Sequence, residues 1–370
     1  MVERENDNYD IEKLKKFRMP VIKSVNQLLS IFKFSQEDEK RFFKLFTIAE
    51  WSGTSFYYQF PIRKSSGGIR EIEKLADEKV RFVQETIDRM FLRRFPVSKK
   101  CHSYLKNRSI VTNAREHLGA KIIMKFDISN FFPSIRYNRV VSIFMNMGYG
   151  KNVAKFLSFF CVNNKFFIPQ GAITSPMISN IACSKLDKRI NSYCISAQLS
   201  YTRYADDITI SSKNKLTHMQ CFIIKNKINE IISSEGFIPN EKKFHWFKEG
   251  QKMMVTGVVI NNNMLSPKKE VIEELEKALY FSKKYGFDSF LNYMNEHREK
   301  DKPCCHRRVY NYFYIERLFG LAYFVHMIDS SKGEYYISEL KKNFPKEYDC
   351  DNYSMLEDVS FNELEDLLND

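Results

Sequence analysis

Residues 201–212 read YTRYADDITISS. Tyr, Thr and Ile favour extended backbone, so the stretch predicts a strand, a turn and a second strand. Two adjacent acids, Asp206 and Asp207, sit at the turn. Side-by-side carboxylates repel, and each raises the pKa of the other unless a cation intervenes. Two readings stand at this point: an exposed hairpin tip, or half of a metal site. What the rest of the chain can bring to the same place decides between them.

The first candidate is Asp127. It closes the apolar run KIIMKFDI, 121–128, which reads as a short strand ending on that acid. A strand-ending acid beside an acidic hairpin can gather three carboxylates at one sheet edge. Hard divalent cations take oxygen ligands of this kind. Two such ions about 3.5–4 Å apart can activate an attacking hydroxyl and stabilise a departing pyrophosphate.

Around these acids the chain alternates helical and extended patterns. Residues 11–50 read as helix, and SFYYQFPIRKSSGGIREIEK, 55–74, as a β-hairpin with a basic, glycine-containing tip. A helix follows over 77–95, ended by Pro96, and Pro133 opens another that stops near Gly148. Ser175 and Pro176 form an N-cap and first-turn pair for a helix carrying Met177, Ile178, Ile181, Ala182, Leu186 and Ile190. A helix over 217–235, the basic segment NEKKFHWFK and the strand MMVTGVVI come next, and 266–340 reads as helices rich in Lys, Arg and Tyr.

At 370 residues the chain can bury a sizeable core, and 44% hydrophobic content suits a globular protein. The net charge of +13 hides an asymmetry. Residues 347–370 hold nine acids and no Lys or Arg, which leaves 58 basic residues against 36 acidic ones in the remainder. Such a body suits a polyanionic partner, most often nucleic acid. The acidic segment reads as a solvated helix end, an interaction segment or a competitor for the basic surface. Eight scattered cysteines without a CxxC pair indicate neither a zinc framework nor a disulfide scaffold. The charged start MVERENDNYD is no signal peptide, and no apolar run reaches the roughly 20 residues that span a membrane. The expectation is a cytoplasmic protein with reduced thiols and no membrane partner.

The succession FDISNFFPSI, IPQGAITSPMISN, YTRYADDITIS resembles the palm motifs of reverse transcriptases. Upstream, GGIREI resembles the fingers hairpin of those enzymes; downstream, GFIPNEKK and MMVTGVVI resemble the last two palm motifs. The resemblance covers about residues 55–265 closely, with a looser thumb beyond. NAREH, 113–117, and VTG, 255–257, match the NAxxH and VTG signatures of retron reverse transcriptases. No maturase or endonuclease module is evident after the thumb. The rivals are another bacterial reverse transcriptase, of group II intron or abortive-infection type, and a catalytically silent RNA-binding scaffold.

The resemblance implies an α+β right-hand polymerase fold. N-terminal helices and fingers would occupy 1–120, a βαββ-type antiparallel palm backed by helices 121–263 with a fingers-side insertion around 145–170, a helical thumb 264–346 and the acidic tail 347–370. It implies that Asp127, Asp206 and Asp207 hold two Mg²⁺ ions, with the Ile128 carbonyl as a further ligand. Phe132 aligns with the steric gate that crowds a ribonucleotide 2′-OH; Phe131 beside it reads as core. Gln170 and Gly171 would line the nucleotide pocket, Arg63 and Arg70 would clamp the triphosphate, and Lys243 is the candidate general acid, with Lys242 in the neighbouring register. Tyr204 and Val255, Thr256 and Gly257 would contact the primer. Arg307 and Arg308, with Arg317 and interleaved tyrosines, would contact RNA. Asn113 and His117, four apart on one helix face, either touch the structured RNA or brace the fingers. The implied activity is RNA-directed DNA synthesis on a cognate non-coding RNA, primed from a guanosine 2′-OH. The product would be branched RNA-linked single-stranded DNA (msDNA), with a separate effector protein as partner in antiphage defence. The oligomeric state is left open.

Overall fold

The computed structural model describes residues 9–52, 56–63, 69–261, 263–296 and 307–344. They belong to two compact units interleaved along the chain. The first comprises Met1–Phe60, Glu71–Ser109 and Ala120–Lys248; the second comprises Pro61–Arg70, Ile110–Gly119 and Glu249–Asp370. This interleaving cuts across the linear division at 120, 263 and 346 that the sequence suggests. No helix among the described residues is long and apolar enough to cross a membrane.

The strands, in chain order, are β1 (Tyr57–Arg63), β2 (Ile69–Leu75), β3 (Ile122–Ser129), β4 (Ser200–Tyr204), β5 (Asp207–Ser212), β6 (Ile238–Pro239), β7 (His245–Lys248), β8 (Met253–Val255), β9 (Val258–Asn261) and β10 (Met264–Ser266). β1 and β2 pair as the expected hairpin. In the first unit β3 is the central strand of an antiparallel sheet. β5 lies on one side of it, with β4 beyond; on the other side β7 pairs its first half and β6 its end. Centrality explains its composition: Ile122, Ile123, Met124, Phe126 and Ile128 are all buried, as a strand covered on both faces requires.

Helices Ser175–Ala182, Ser184–Ser196 and His218–Ser234 contribute Met177, Ile178, Leu186, Ile190, Ile224 and Ile228 to the same core. The last of these helices opens on a capping box. Thr217 accepts from the Gln220 backbone N–H, and the Gln220 side chain accepts from the Thr217 N–H, which satisfies two otherwise orphaned donors. Phenylalanine supplies the other end of this core. Phe42 stacks on Phe34 at 4.7 Å and meets Phe160 edge-on at 5.4 Å, while Phe56 meets Phe159 at 5.3 Å. Each such pair adds about 0.5–1.5 kcal/mol beyond the area it buries.

The second unit carries the antiparallel meander β8–β9–β10 and the short helix Ile110–Arg115. A separate core forms among helices Lys269–Tyr285, Phe287–Glu296, Arg307–Ile328 and Ser330–Asn343, from Leu275, Leu279, Phe290, Leu318, Phe319, Val325 and Leu340.

Several boundaries differ from the sequence reading. The helical stretch 11–50 is three helices, Ile11–Lys16, Val25–Phe32 and Gln36–Ser52. The helix over 77–95 ends at Met90, and a 3₁₀ turn, Leu92–Arg94, follows. Pro133 lies in a 3₁₀ turn, Phe132–Ser134; the helix itself is Tyr137–Met147, closed by Gly148 with φ +114°. Ser175 is not the N-cap but the first helical residue, and its Oγ is buried without a hydrogen-bond partner. The apolar periodicity of 177–190 spans two helices broken at Cys183, because a 3.6-residue pattern survives a one-residue break. MMVTGVVI is a hairpin rather than one strand; Thr256 and Gly257 turn it with φ +45° and +85°.

Candidate active site

β3 does not end on Asp127 but continues to Ser129, so the acid sits inside a paired strand. Its register partner across the antiparallel ladder is Asp207. Like charges placed directly opposite on neighbouring strands destabilise a sheet, so this pairing carries a cost that packing alone does not explain. Tyr204 pairs with Asp207 at the other side of β5, leaving Ala205 and Asp206 as a two-residue loop. Ala205 has φ +55°. A positive φ at the first central residue is what a type II′ hairpin turn demands.

Electrostatics record the crowding. Burial first, and then the charge of Asp207, push the Asp206 carboxyl up to about 6, and Asp127 adds to the effect. Burial also raises Asp207; the Lys125 ammonium lowers it, and the charge of Asp127 adds to the rise. Lys125 stands two residues before Asp127 on β3, hence on the same face.

Asp127 is itself held on three atoms. Lys243 Nζ donates to Oδ1 at 2.8 Å, Asn240 Nδ2 donates to Oδ2 at 3.0 Å, and the Asn240 backbone N–H donates to the Asp127 carbonyl at 2.8 Å. The hydrogen bond to Asp127 holds the Lys243 ammonium above its ordinary pKa. Of the two neighbouring lysines, then, Lys243 is the one on the triad. The carboxylates offer the oxygen donors that a hard cation takes, and an ammonium occupies a cation's place on one of them. Among the described residues no three His, Cys, Asp or Glu side chains are gathered at the spacing of a formed metal site. The carboxylates match a divalent cation in donor chemistry and charge, but they are not gathered into a formed site, and Asp127 is engaged by Lys243.

Other expected site residues fall as follows. Ile128 is buried beside Asp127, opposite Pro239 of β6. Phe131 is buried and stacks on Phe237 at 5.9 Å, whereas the Phe132 ring is only partly buried and meets Phe131 edge-on. The Gln170 carbonyl accepts from the Glu73 N–H of β2 at 3.0 Å. Gly171 follows with φ +128°, and a Cβ there would lie 2.2 Å from the Glu73 carbonyl oxygen. Arg63 and Arg70 lie on β1 and β2, and Arg307 and Arg308 open the helix Arg307–Ile328; the side chains of all four lie outside the described residues. Arg317 is engaged within the protein, as its guanidinium pairs both oxygens of Glu274 at 2.9 and 3.0 Å.

The two short signatures meet. Asn113 Nδ2 donates to Thr256 Oγ1 at 3.3 Å, and Thr256 Oγ1 donates to the Ile110 carbonyl at 3.2 Å. Val255 is buried, as are Asn113 and His117. The helix ends at Arg115, so His117 lies in the following turn rather than on a shared helix face.

Sequence reasoning missed several residues at the triad. Asn240 lies in the basic segment and in GFIPNEKK, but neither reading gives it a role beside Asp127. Tyr104, 39% exposed, lies near enough for Asp206 to help raise its phenol, after burial. Arg203 and Asp187 form an ion pair with both side chains 0% exposed. No local signal marks Arg203, since the interior positions of β4, Tyr201, Thr202 and Arg203, are buried on both faces alike.

The family model for reverse transcriptase (RNA-dependent DNA polymerase) matches residues 62–260. The chain belongs to the reverse transcriptase family. With mixed helices and sheet, its fold is that of the right-hand polymerases, and enzymes of the family use divalent metal ions. The chain is 28% identical over 313 residues to the retron Mx162 reverse transcriptase of Myxococcus xanthus, covering 77% of this chain and 60% of that protein. It is 37% identical over 177 residues to the retron Ec86 reverse transcriptase of Escherichia coli, covering 47% and 53%. It is 29% identical over 225 residues to the retron Mx65 reverse transcriptase of Myxococcus xanthus, covering 56% and 52%. The matches thus span between half and three fifths of these relatives' lengths, and all three relatives are retron reverse transcriptases. Among solved structures, telomerase from Candida albicans with a fragment of telomeric RNA aligns over 84% of this chain and 66% of that one, with a TM-score of 0.41 and 10% identity.

Proposed function

We propose that this reverse transcriptase copies part of a cognate structured RNA into DNA, starting from a guanosine 2′-OH and leaving msDNA. The observation that carries the polymerase reading is Asp127 set opposite Asp207, with Asp206 in the adjoining turn. A sheet tolerates such a like-charge pairing when the acids serve a cation. Asp127, Asp206 and Asp207 would hold two Mg²⁺ ions, with the Ile128 carbonyl as an additional donor. Two divalent ions, when bound, supply the Lewis acidity that activates the primer hydroxyl and neutralises the pyrophosphate.

The chain's own residues do the rest. The primer oxygen forms a bond to the α-phosphorus as the bond to the pyrophosphate oxygen breaks, a step that depends on positioning and charge more than on covalent help. Lys243, held protonated beside Asp127, would give its proton to the pyrophosphate oxygen as the P–O bond breaks. Phe132 presents a half-buried ring suited to crowding a 2′-OH, which would favour dNTPs. Gln170 and Gly171 would line the nucleotide pocket, held against β2 by the Gln170–Glu73 bond and by the missing Cβ that makes room for the Glu73 carbonyl. Arg63 and Arg70 for the triphosphate, Tyr204 and the 255–257 turn for the primer, and Arg307 and Arg308 for RNA rest on their motif positions. The retron reading rests on the relatives and on the two signatures, and it brings with it an expected effector protein and an antiphage role.

Primer extension on the RNA encoded beside the gene tests the polymerase reading. Wild type should incorporate dNTPs and Asp206→Ala should lose at least about 10³-fold; equal incorporation by both overturns it. Sequencing the nucleic acid that copurifies tests the retron reading, which requires a 2′,5′-branched RNA–DNA hybrid.

A further inference from the structure

Beneath the acidic turn lies a polar network that the metal chemistry does not use. Arg203 forks onto Asp187, Nε to Oδ1 at 2.7 Å and Nη2 to Oδ2 at 2.9 Å. Tyr201 OH donates to the same Oδ1 at 2.7 Å. The remaining guanidinium nitrogen, Nη1, donates to the Ala205 carbonyl at 3.0 Å and to Asn180 Oδ1 at 3.4 Å. From the other side Ser103 Oγ accepts from the Ala205 N–H at 2.9 Å. Ser103 is tied back in turn, its Oγ donating to Asn180 Oδ1 at 3.3 Å and its carbonyl accepting from Asn180 Nδ2 at 2.9 Å. The Arg203 backbone pairs with the loop carrying Ser103: its carbonyl accepts from His102 N–H at 2.8 Å and its N–H donates to the Lys100 carbonyl at 2.9 Å. Ser103, Asn180, Asp187 and Arg203 are all fully buried.

Both backbone groups of Ala205 are therefore gripped from below, at the residue whose left-handed conformation turns the chain. An alanine in that conformation is disfavoured, because its Cβ crowds the backbone. The loop also carries Asp206 and must hold it against the repulsion of Asp207 and Asp127. We infer that Arg203, Asp187, Asn180 and Ser103 are positioning residues. They lock the Ala205–Asp206 turn so that the acids are presented to incoming cations already in place. The bidentate fork suits the task, since it fixes the guanidinium plane and so aims the third nitrogen at the Ala205 carbonyl. A lysine would keep the charge and lose the aim. The inference deepens the polymerase reading and rests on it.

The experiment compares wild type with Ser103→Ala, Arg203→Lys and the paired change Arg203→Met with Asp187→Leu. The pair replaces a buried ion pair by apolar groups of similar volume, which protein cores accept. Three quantities are read on the full chain: the thermal midpoint, Mn²⁺ affinity by electron paramagnetic resonance, and kcat and KM for dNTP in primer extension. Variants that keep a midpoint near that of wild type should bind Mn²⁺ about 10-fold more weakly. Their kcat should fall about 10–100-fold while KM for dNTP changes little. Ser103→Ala removes one hydroxyl, the acceptor of the Ala205 N–H and a donor to Asn180, and remains informative if the Arg203 variants do not fold. A folded variant with wild-type Mn²⁺ affinity and kcat overturns the inference, as does an activity loss that only tracks the midpoint. Wild type without DNA synthesis would instead overturn the polymerase reading, and the Mn²⁺ arm would still decide the positioning role.

Discussion

At the scale of single residues, Asp206 sets function against stability. Its folded pKa of about 6 lies above the ordinary value of 3.8. Between those values the folded protein keeps a proton that the unfolded chain has lost. Stability contributed at this position therefore falls as pH rises through that window and is lowest above it. In metal-free protein, Asp206→Asn should raise stability at pH 7 by on the order of 2–3 kcal/mol and lose its advantage near pH 4. Thermal unfolding of both proteins from pH 4 to 8 gives the comparison, and superimposable profiles would contradict the account. Added Mn²⁺ should raise the midpoint of wild type and leave that of the variant nearly unmoved. Phe132 gives a second test at this scale. Phe132→Ala should raise ribonucleotide incorporation relative to dNTP by about 10-fold or more. An unchanged ratio would return the ring to the role of core filler.

At the scale of elements, two close approaches are specific enough to break. Gly171→Ala drives a Cβ into the Glu73 carbonyl of β2, in a backbone region that L side chains avoid. The expected loss is at least about 2 kcal/mol by denaturant unfolding. Thr256→Val keeps the shape and removes the hydroxyl, which takes the acceptor from the buried Asn113 amide and an extra donor from the Ile110 carbonyl. About 1–3 kcal/mol should be lost, and Thr256→Ser should restore most of it; a neutral valine would show that the bond contributes nothing. The elements themselves were mostly legible. The hairpin β1–β2, the acidic hairpin and the helix opened by Thr217 all carry strong local signals: turn residues, alternation and a capping box. What failed was local in another sense. Ser175 looked like a cap because serine usually is one, and MMVTGVVI looked like one strand because Thr256 adopts a positive φ against its type. The candidate acids were found by motif order; their support was not, since a charged residue such as Arg203 ordinarily reads as exposed.

At the scale of the whole molecule, the strongly basic body predicts salt-sensitive RNA binding. If six or more phosphates are neutralised, affinity should fall by about 10³-fold or more between 50 and 200 mM salt. A flat salt dependence would remove charge as the basis of binding. Composition announced this property; it could not announce the interleaving of the two units, which depends on pairings far apart in sequence. That interleaving bears on how the protein is made. Asn113 meets Thr256 across 143 residues of chain. At about 5–20 residues per second of synthesis, the ribosome must work for roughly 7–30 s after the helix Ile110–Arg115 emerges before the hairpin that receives it exists. During that interval the buried amide of Asn113 has no Thr256 hydroxyl to meet. A nascent chain arrested at Lys248 should be cut readily by protease within 110–119, and one extended past β10 should resist. NAREH and VTG are thus also the two halves of one late-closing joint, completed only when synthesis has passed the β8–β9 hairpin.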